Sequence, residues 1–514
     1  MNLARNLEQA AFYFGDRPAV IEGDRVVTFG EFDREANRVA TALAELGVKP
    51  GDPVALCAPN SYQWLAFYFG ALKAGAVVVT LSNALQRHEL LRVLDDAQPK
   101  VLFTVDERLD DLADRQDLPY LRYIVSPQGD IPYGELLERG SPTFKAAERE
   151  RSDTAAILYT GGTTGIPKGV MLSHENILTS SHNVSHYERS THEDRAICYL
   201  PLNHVFAQVH IMNATVLSGG SLILLPSFDL EQVLEAIERH RVTKFYGVPT
   251  IYIRLLSLED LEERFRSVRY CFSAASSMHA ELVQQWKART GLKIHEAYGM
   301  TESASMVTYN HYWRHVVGSV GTPVGTIEVQ IRDLEGNVLP PGAEGEICIR
   351  GPNIMRGYLK APEETRSVFW DDWFRSGDIG LMDEDGYLYI VDRLKDLIIT
   401  GGENVYPREV EEALYSRPEV EECAVIGLPD KEWGERVVAC IVPRKGQEID
   451  PQALKAYLKA RLSPFKVPKE FITMTSLPKS STGKTLKREL KRRLTEGLPS
   501  RQPECEGVDR GARS

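Results

Sequence analysis

The sequence contains no uninterrupted apolar run of the roughly 20 residues that a membrane-crossing helix needs. Its beginning, MNLARNLEQAAFYFGDRPAV, also lacks the apolar central region of a secretory signal peptide. These two absences predict a cytoplasmic protein, and peripheral contact with a membrane stays open.

Clustered cysteines and an excess of basic charge are absent as well. The seven cysteines are scattered, odd in number and without a C-x-x-C pair, which favours a reducing compartment and argues against a structural zinc site. The 72 acidic residues outnumber the 60 lysines and arginines, so the net charge is −12. We therefore expect no nucleic-acid partner, because a phosphate backbone requires a basic surface.

The remaining composition is that of a globular protein, with 43% hydrophobic and 26% charged residues. A chain of 514 residues is too long for one hydrophobic core, so we expect two or more domains. A capping box at Thr28 and Glu31 precedes a helical pattern that ends at Gly47. Further segments alternate between strand patterns, at 54–57, 77–81, 101–105, 221–225 and 244–246, and helix patterns, at 62–72, 85–94 and 230–240. Repeated βα units predict a doubly wound, parallel sheet.

One short segment, LYTGGTTGIPKGV at 158–170, has the composition of a polyphosphate-binding loop. Glycines let backbone N–H groups approach anionic oxygens, while hydroxyl groups and a lysine add donors and charge. The segment is not a Walker A loop, because Ile166, Pro167 and a strand pattern follow the last glycine instead of a helix. The G-K-T at 483–485 is not one either, since Pro478 occupies the required upstream glycine position. The residues predicted to bind phosphate are Thr160, Gly161, Gly162, Thr163, Thr164, Gly165 and Lys168.

Two further motifs suit a nucleotide and a cation. EAYGMTES at 296–303 combines an aromatic face for a base, a hydroxyl for a phosphate oxygen and a carboxylate for a hard cation. WFRSGDIG at 373–380 places Asp378 in a glycine-flanked turn, where a carboxylate can accept two hydrogen bonds from a ribose. Taken alone, Glu302 would be a solvated acid and Asp378 the acid of an Asx turn.

Together with PLNH at 201–204, YLYIVDRLKDLIITGGENVYPREVE at 387–411 and LPKSSTGKTLKREL at 477–490, these motifs resemble the adenylate-forming superfamily. The resemblance covers nearly the whole chain and points to the acyl-CoA synthetase branch. It implies an α/β fold in which a large N-terminal domain contains two doubly wound βα subdomains and a small β-barrel-like subdomain. A small mobile α+β domain follows. The predicted bounds are 1–393 for the adenylation domain, 394–495 for the lid domain and 496–514 for a disordered tail.

The resemblance also implies a role for each motif. Tyr298 stacks on adenine, Thr301 contacts the α-phosphate and Glu302 holds Mg²⁺. The other residues implied to contact ATP or AMP, beyond the phosphate loop, are Ser273, Asp378 and Arg393.

For the acid and the thiol, the resemblance places His204 beside the reacting carboxylate and Lys484 between that carboxylate and the α-phosphate. Lys395 is the implied hinge. The implied acyl pocket contains Val205, Phe206, Ala274 and Gly299, and the implied coenzyme A channel contains Gly401, Gly402 and Glu403. The sequence departs from the usual family pattern at three positions, with Gly161 for serine, Ala274 for glycine and Asp392 for glycine.

The predicted reaction is the ATP-dependent activation of a carboxylic acid to an acyl adenylate, followed by transfer to the thiol of coenzyme A. A medium- to long-chain fatty acid is the first expectation, and an aryl or cinnamate-type acid is an alternative. Transfer to an acyl carrier protein is another alternative. Coenzyme A and a carrier protein are both anionic, so charge does not distinguish these two acceptors. A nucleotide-binding homologue without catalysis and a luciferase are the remaining alternatives. The sequence leaves the oligomeric state open.

Overall fold

The structure is a computed structural model of the chain and describes residues 1–113, 115–160, 167–274, 278, 280–480 and 484–496. Its contacts divide the chain into two compact units, Met1–Ile390 and Val391–Ser514, which we call the first and second units. None of the helices in the described ranges is both long and apolar enough to cross a membrane.

The first unit contains most of the helices and strands. Its strands are β1 Pro18–Glu22, β2 Arg25–Thr28, β3 Pro53–Cys57, β4 Val77–Thr80, β5 Val101–Thr104, β6 Tyr123–Val125, β7 Thr154–Thr160, β8 Lys168–Ser173, β9 Arg195–Cys198, β10 Ser221–Leu224, β11 Lys244–Gly247, β12 Tyr270–Ser273, β13 Ile294–Glu296, β14 Gly299–Met300, β15 Ser305–Met306, β16 Thr308–Tyr309, β17 Thr322–Pro323, β18 Glu328–Arg332, β19 Gly345–Arg350, β20 Gly357–Tyr358, β21 Phe369–Trp370, β22 Trp373–Met382 and β23 Leu388–Arg393, the last of which continues into the second unit. Its helices are α1 Arg5–Phe14, α2 Phe29–Glu45, α3 Tyr62–Lys73, α4 Arg87–Ala97, α5 Tyr133–Arg139, α6 His174–Tyr187, α7 Ala214–Ser218, α8 Leu230–His240, α9 Pro249–Leu256, α10 Leu261–Arg264, α11 Ala280–Thr290 and α12 Pro362–Ser367.

The first of two seven-stranded sheets has the order β20-β8-β7-β4-β3-β5-β6. Strands β3 to β7 run parallel, as the βα pattern predicts, but β8 is antiparallel to β7 and β20 is antiparallel to β8. The expectation of an all-parallel sheet is therefore wrong at this edge. The physical reason is that the short segment between β7 and β8 can close a hairpin but cannot form the long crossover that parallel strands require.

The second seven-stranded sheet has the order β13-β12-β11-β9-β10-β1-β2. Its strands run parallel except for the β1–β2 hairpin at the edge. Strand β1 lies beside β10, about 200 residues later in the chain, and this crossover was not predicted from the sequence. The two sheets share one large core, in which Trp64 and Trp286 are fully buried.

Several sequence predictions of local structure are confirmed in detail. Thr28 and Glu31 form the reciprocal capping box at the start of α2. Helix α8 has the bounds that its apolar periodicity predicts, and Asp229 caps it. The predicted helical run after PLNH is helical, but Phe206–Asn213 forms a π-helix that continues as α7 and ends at Gly219, whose φ is 73°. π-helical turns are rare and frequently occur at functional sites.

The strands predicted for the small barrel-like subdomain form mainly a five-stranded sheet of order β18-β19-β22-β21, with β23 also paired to β22. Strand β20 lies between β19 and β21 in the chain but joins the first large sheet instead, through β8. Gly357 and Tyr358, which lie between β19 and β21 in the chain, are therefore tied to the hairpin of β7 and β8.

The second unit is a small α+β domain. Its elements are β24 Ile398–Thr400, β25 Glu403–Val405, α13 Pro407–Tyr415, β26 Val420–Asp430, β27 Gly434–Pro443, α14 Pro451–Lys459, β28 Glu470–Thr473 and α15 Lys487–Glu496. The sheet has the order β25-β24-β27-β26, with β28 parallel to β27. The predicted disordered tail begins at 496, but Glu496 ends α15, and 497–514 lie outside the described residues. Six cysteines in the described ranges are free and buried.

Two buried histidines make the stability of the first unit depend on pH. Burial lowers the pKa of His174 and of His295 to about 4, and each ring is hydrogen-bonded, to the Leu3 N–H and the Asn310 carbonyl respectively. Because both pKa values are lower in the folded than in the unfolded chain, their stabilising contribution is complete above pH 6.5 and is lost as pH falls towards 4.

We therefore expect the free energy of unfolding to decline between pH 6.5 and 5, by at most about 1.4 kcal/mol per pH unit for each histidine. Urea unfolding at half-unit steps measures this slope, and His295→Gln should reduce it. A free energy of unfolding that is constant across this window, or a slope that His295→Gln leaves unchanged, would contradict the expectation.

Candidate active site

The hairpin of β7 and β8 carries the predicted phosphate loop. Thr160 and Lys168 lie opposite each other at its loop end, and residues 161–166 between them lie outside the described residues. The predicted phosphate contacts Gly161, Gly162, Thr163, Thr164 and Gly165 are among those six. The antiparallel pairing of β7 and β8 brings the Thr160 hydroxyl and the lysine to the same end of the sheet, although eight positions separate them in the chain.

Tyr358 connects this hairpin to the predicted metal ligand. The Lys168 Nζ lies 5.0 Å from the centroid of the Tyr358 ring, within cation–π range. The Tyr358 hydroxyl donates a hydrogen bond of 3.0 Å to Glu302 Oε1. Burial, together with the Glu302 charge, raises the pKa of Tyr358 well above its usual range, so this hydroxyl remains a donor. Sequence reasoning missed Tyr358, because 56 residues separate it from Glu302 and no motif marks it.

The Glu302 carboxylate suits a magnesium ion that is shared with a nucleotide. In the described ranges there is no group of three or more His, Cys, Asp or Glu residues that could hold a metal. Mg²⁺ commonly binds through one or two carboxylates and keeps waters and substrate phosphates as its other ligands. A single half-buried carboxylate beside a phosphate loop fits that mode of binding, and it does not fit a protein cage for calcium or zinc.

Tyr298 and Asp378, predicted to contact adenine and ribose, lie together. The Tyr298 hydroxyl donates a hydrogen bond of 2.7 Å to Asp378 Oδ2, and both residues are buried. The Tyr298 N–H donates to Thr308 Oγ1 at 3.2 Å, and the Asp378 N–H donates to Ser376 Oγ at 3.1 Å. These bonds hold an aromatic ring and a carboxylate in fixed orientations.

The segment that follows Tyr298 is strained and tightly held. Thr301–Ser303 forms a 3-10 turn, and the next two residues, Ala304 and Ser305, have φ values of 50° and 96°. Such values are costly for residues with a Cβ, and strained residues of this kind cluster at functional sites. The Ser303 hydroxyl accepts from the Met300 N–H at 3.0 Å, and Asn353 donates to the Ser303 carbonyl at 3.0 Å. Thr301 and Glu302 are thus presented on a rigid turn.

Gly299 is required at its position because β14 and β15 approach closely there. A Cβ on Gly299 would lie 1.4 Å from the Ser305 carbonyl oxygen, a distance that only movement of the backbone can relieve. We expect Gly299→Ala to raise the KM for the acid about tenfold or more, because an ångström-scale displacement at a reacting site can cost up to about 100-fold. Initial-rate kinetics measure the effect, and Gly134→Ala, where a Cβ meets open space and the φ is not positive, is the control. Unchanged kinetics for Gly299→Ala would contradict this close approach.

The PLNH turn is fixed by a residue that sequence reasoning missed. Asn60 donates to the Leu200 carbonyl and accepts from the Leu202 N–H, both at 2.9 Å. His204 Nδ1 accepts from the Phe206 N–H at 3.2 Å, which orients the imidazole at the start of the π-helix. The bond to Asn60 crosses 140 residues of sequence, so no local pattern could reveal it.

An aromatic wall lies beyond His204. Val205 and Phe206 are buried, and the Phe206 ring lies 5.7 Å from the ring of Phe272 in β12. Ser273 is buried at the end of β12, and Ala274 is half-buried behind it, whereas residues 275–277 and 279 lie outside the described residues. Ala274, predicted to line the acyl pocket, therefore lies at the carboxyl end of β12, which pairs with parallel strands on both sides. Open α/β sheets bind ligands at this end of their strands.

The remaining predicted residues belong to the second unit. Gly401 and Gly402 form the turn of the β24–β25 hairpin with φ values of 60° and 85°, and Glu403 starts β25. Lys484 closes a second turn, in which the Ser480 N–H donates to the Lys484 carbonyl at 2.8 Å and the Lys484 N–H donates to Ser480 Oγ at 3.2 Å. Lys395 lies in a 3-10 turn, Leu394–Asp396.

Asp392, one of the three departures from the family pattern, connects Arg393 to helix α13. Its carboxylate accepts from the Arg393 N–H at 2.7 Å and from the Arg408 N–H at 2.8 Å. Burial raises the pKa of Asp392, although Lys487 and these two N–H groups oppose that effect. The aspartate therefore gives the predicted hinge segment a rigid attachment that glycine could not provide.

Comparisons with known proteins agree with this geometry. The model of the AMP-binding enzyme family matches residues 7–359, and that of the AMP-binding enzyme C-terminal domain matches residues 409–484. The chain is 35% identical over 526 residues to a long-chain-fatty-acid–CoA ligase of Bacillus subtilis, covering 95% of this chain and 94% of that protein. It is 39% identical over 483 residues to a feruloyl-CoA synthase of Amycolatopsis, covering 93% and 96%.

A solved structure shares the whole fold. ATP-bound MatB from Rhodopseudomonas palustris superposes with a TM-score of 0.90 at 35% identity, covering 97% of this chain and 100% of that one. The chain therefore belongs to the AMP-binding enzyme family, within the adenylate-forming superfamily. The predicted family, α/β fold and enzyme class, an AMP-forming acid–thiol ligase, are confirmed. ATP, Mg²⁺ and coenzyme A, predicted from the sequence, are the nucleotide, metal and thiol substrate that this family uses.

Proposed function

We propose that the protein activates an apolar carboxylic acid with ATP and transfers the acyl group to coenzyme A, releasing AMP and pyrophosphate. The observation that carries this proposal is the arrangement of residues 298–302. Tyr298 is bonded to Asp378 at one end of that segment, and Glu302 is bonded to Tyr358 beside Lys168 at the other. Groups that suit a nucleoside and groups that suit a phosphate thus lie a few residues apart on one turn, which supports the proposal.

In this proposal the adenosine lies against Tyr298, with its ribose on Asp378 and Arg393, and Ser273 contacts the nucleotide. Thr160, Lys168 and the loop between them hold the β- and γ-phosphates, and Thr301 contacts the α-phosphate. Glu302 would hold Mg²⁺, which when bound neutralises phosphate charge during the displacement.

The first reaction joins two anions, since the carboxylate of the acid attacks the α-phosphorus of ATP and pyrophosphate leaves. The protein has to reduce their repulsion, and we assign that task to Lys168 and Lys484. Fixed positive groups of this kind commonly stabilise such a transition state by ~2 to 4 kcal/mol each. His204 orients the carboxylate. A general base is not needed, because the acid is already ionised near neutral pH.

The second reaction is attack of the coenzyme A thiol on the acyl adenylate, which releases AMP. We propose that residues 1–393 act as the adenylation domain and that residues 394–495 act as a lid that turns about Lys395 between the two reactions. Gly401, Gly402 and Glu403 then border the thiol path. The two glycines support this role, because their positive φ values make a turn without side chains at which a thiol can approach.

The acid is proposed to be a medium- to long-chain fatty acid, bound beside Val205, Phe206, Ala274 and Gly299. An aryl acid is the second candidate. It is favoured by the aromatic wall of Phe206 and Phe272 and by the 39% identity to a feruloyl-CoA synthase. Transfer to an acyl carrier protein stays an untested prediction.

Acid-dependent exchange of pyrophosphate into ATP, without coenzyme A, tests the proposal. The panel contains fatty acids of increasing length, benzoates, cinnamates and amino acids. We expect exchange with one class of apolar acid and none with amino acids, and we expect thioester formation only after coenzyme A is added. Bound ATP without exchange on any acid would overturn the proposal, and thioester formation on a loaded carrier protein but not on coenzyme A would identify the other acceptor.

A further inference from the structure

The segment 355–359 joins the turn that carries Glu302 to strand β8. At its start, the Met355 N–H donates a hydrogen bond of 2.8 Å to the Glu302 carbonyl. Further along, Tyr358 pairs with Val170 of β8, the strand that follows the phosphate loop. A short piece of backbone thus connects the predicted metal ligand to the phosphate-binding hairpin, so a displacement at one is transmitted to the other.

The backbone at Tyr358 is fixed on its other side by helix α12. The Tyr358 N–H donates to Thr365 Oγ1 at 2.9 Å. The preceding Gly357 has a φ of 138°, and a Cβ there would lie 2.7 Å from Thr365 Cγ2, so a larger residue would disturb this contact. The Tyr358 side chain is buried. Its ring is therefore attached to a fixed stretch of backbone.

The Tyr358 side chain contacts two charged groups at once. Its hydroxyl donates to Glu302 Oε1 at 3.0 Å, and the centroid of its ring lies 5.0 Å from Lys168 Nζ. The first contact uses the hydroxyl and the second uses the face of the ring. A single residue therefore holds the carboxylate proposed for Mg²⁺ and the ammonium group proposed for the phosphates, and the two contacts can be removed separately.

Each contact restricts a group that would otherwise move. The last torsion of a glutamate side chain is broad, so a hydrogen bond to Oε1 is needed to fix the plane of the Glu302 carboxylate. Partners of this kind, behind a metal-ligating carboxylate, commonly account for about 10- to 100-fold in metal affinity. A lysine loses much rotamer entropy when it is fixed, and a ring that already orients it reduces that loss on binding.

We propose that Tyr358 is a positioning residue that couples the metal to the triphosphate of ATP. Its hydroxyl orients Glu302 for Mg²⁺, and its ring orients Lys168 for the β- and γ-phosphates. This inference rests on the proposed function, which gives Glu302 and Lys168 these roles. It predicts that loss of the hydroxyl weakens the binding of ATP only when Mg²⁺ is present.

Equilibrium binding of ATP, measured by titration calorimetry without acid or coenzyme A, tests the inference independently of catalysis. The measured quantity is the ratio of the Kd in excess EDTA to the Kd in saturating Mg²⁺. Wild-type protein should bind ATP more tightly in Mg²⁺. Tyr358→Phe loses the hydroxyl and keeps the ring, so we expect the ratio to fall by about tenfold and the Kd in EDTA to stay unchanged.

Two further variants test the ring and the specificity of the effect. Tyr358→Leu also loses the ring, so it should raise the Kd in EDTA by about threefold, the weight of a cation–π contact at a partly exposed site. Tyr389→Phe is the matched control, because it removes another tyrosine hydroxyl that donates to a carboxylate, Asp383 Oδ2, at 3.2 Å. Neither Tyr389 nor Asp383 has a proposed role in nucleotide binding, so the ratio and both Kd values should be unchanged.

Glu302→Gln separates positioning from a general effect on the fold. It removes the charge that would hold Mg²⁺, so the ratio should fall close to one. Adding Tyr358→Phe to Glu302→Gln should then change the ratio no further, because the hydroxyl acts through this carboxylate. A purely structural role of the hydroxyl would instead weaken binding in both backgrounds, and in EDTA as well.

Three results would overturn the inference: a wild-type ratio in Tyr358→Phe, a Kd that Tyr358→Phe raises equally with and without Mg²⁺, or a Kd in EDTA that Tyr358→Leu leaves at the Tyr358→Phe value. If Glu302→Gln lowered the ratio and Tyr358→Phe did not, the inference alone would fail. A ratio that Glu302→Gln leaves at the wild-type value would reject the proposed metal role of Glu302 as well, so the two failures are distinguishable.

Discussion

Replacing Lys484 with alanine is expected to slow acid-dependent pyrophosphate exchange by about 10²- to 10³-fold, the usual cost of removing one fixed charge donor from a transition state. Lys484 has no other proposed task than to reduce the repulsion between the carboxylate and the α-phosphate. Thioester formation from supplied acyl adenylate lacks that repulsion and should proceed near the wild-type rate. Exchange kinetics and a thioester assay on the same preparation measure the two reactions.

The matched control is Lys491→Ala, which removes a half-exposed lysine of the second unit that pairs with Glu435. Its side chain lies on α15, outside the Lys484 turn, so both reactions should be unaffected. If Lys484→Ala slowed both reactions to the same degree, the lysine would serve the fold of the second unit and not adenylation.

Replacing Lys244 with methionine is expected to have the largest effect on stability, about 3 to 5 kcal/mol, because it leaves the buried Glu188 carboxylate without its counter-charge. Lys244 Nζ lies 3.1 Å from Glu188 Oε2 and 2.7 Å from the Ser190 hydroxyl, and its side chain is almost fully buried. Urea unfolding followed by tryptophan fluorescence reports mainly on the first unit, which contains five of the six tryptophans, among them the fully buried Trp64 and Trp286.

Two further variants separate the effect of charge on stability from the effect of packing. The double variant Glu188→Gln with Lys244→Met removes both charges and should recover part of the lost free energy of unfolding. Arg239→Met, which breaks an exposed ion pair with Asp24, should cost no more than about 1 kcal/mol. A small loss for Lys244→Met, similar to that for Arg239→Met, would show that the buried group tolerates an uncompensated charge.

Local sequence patterns predicted much of this protein. The capping box of α2, the bounds of α8 and the alternation of strands and helices follow from side chains within one or two turns of each other. The nucleotide motifs are likewise contiguous, and the family and its chemistry could be inferred from them directly. What these predictions share is that each depends on neighbours in the chain.

The tertiary structure decided the features that depend on distant residues. Strand β1 joins a sheet built some 200 residues later, Tyr358 reaches Glu302 across 56 residues, and Asn60 holds the PLNH turn across 140. No local pattern specifies such pairs, because only the packing of complete sheets determines which surfaces meet. The polar group in which the Glu188 carboxylate is bonded to Lys244 and His210 belongs to the same class, since a glutamate or a lysine alone is typical of a solvated surface. Burial together in one core converts them into a fixed hydrogen-bonding unit beside the proposed pocket.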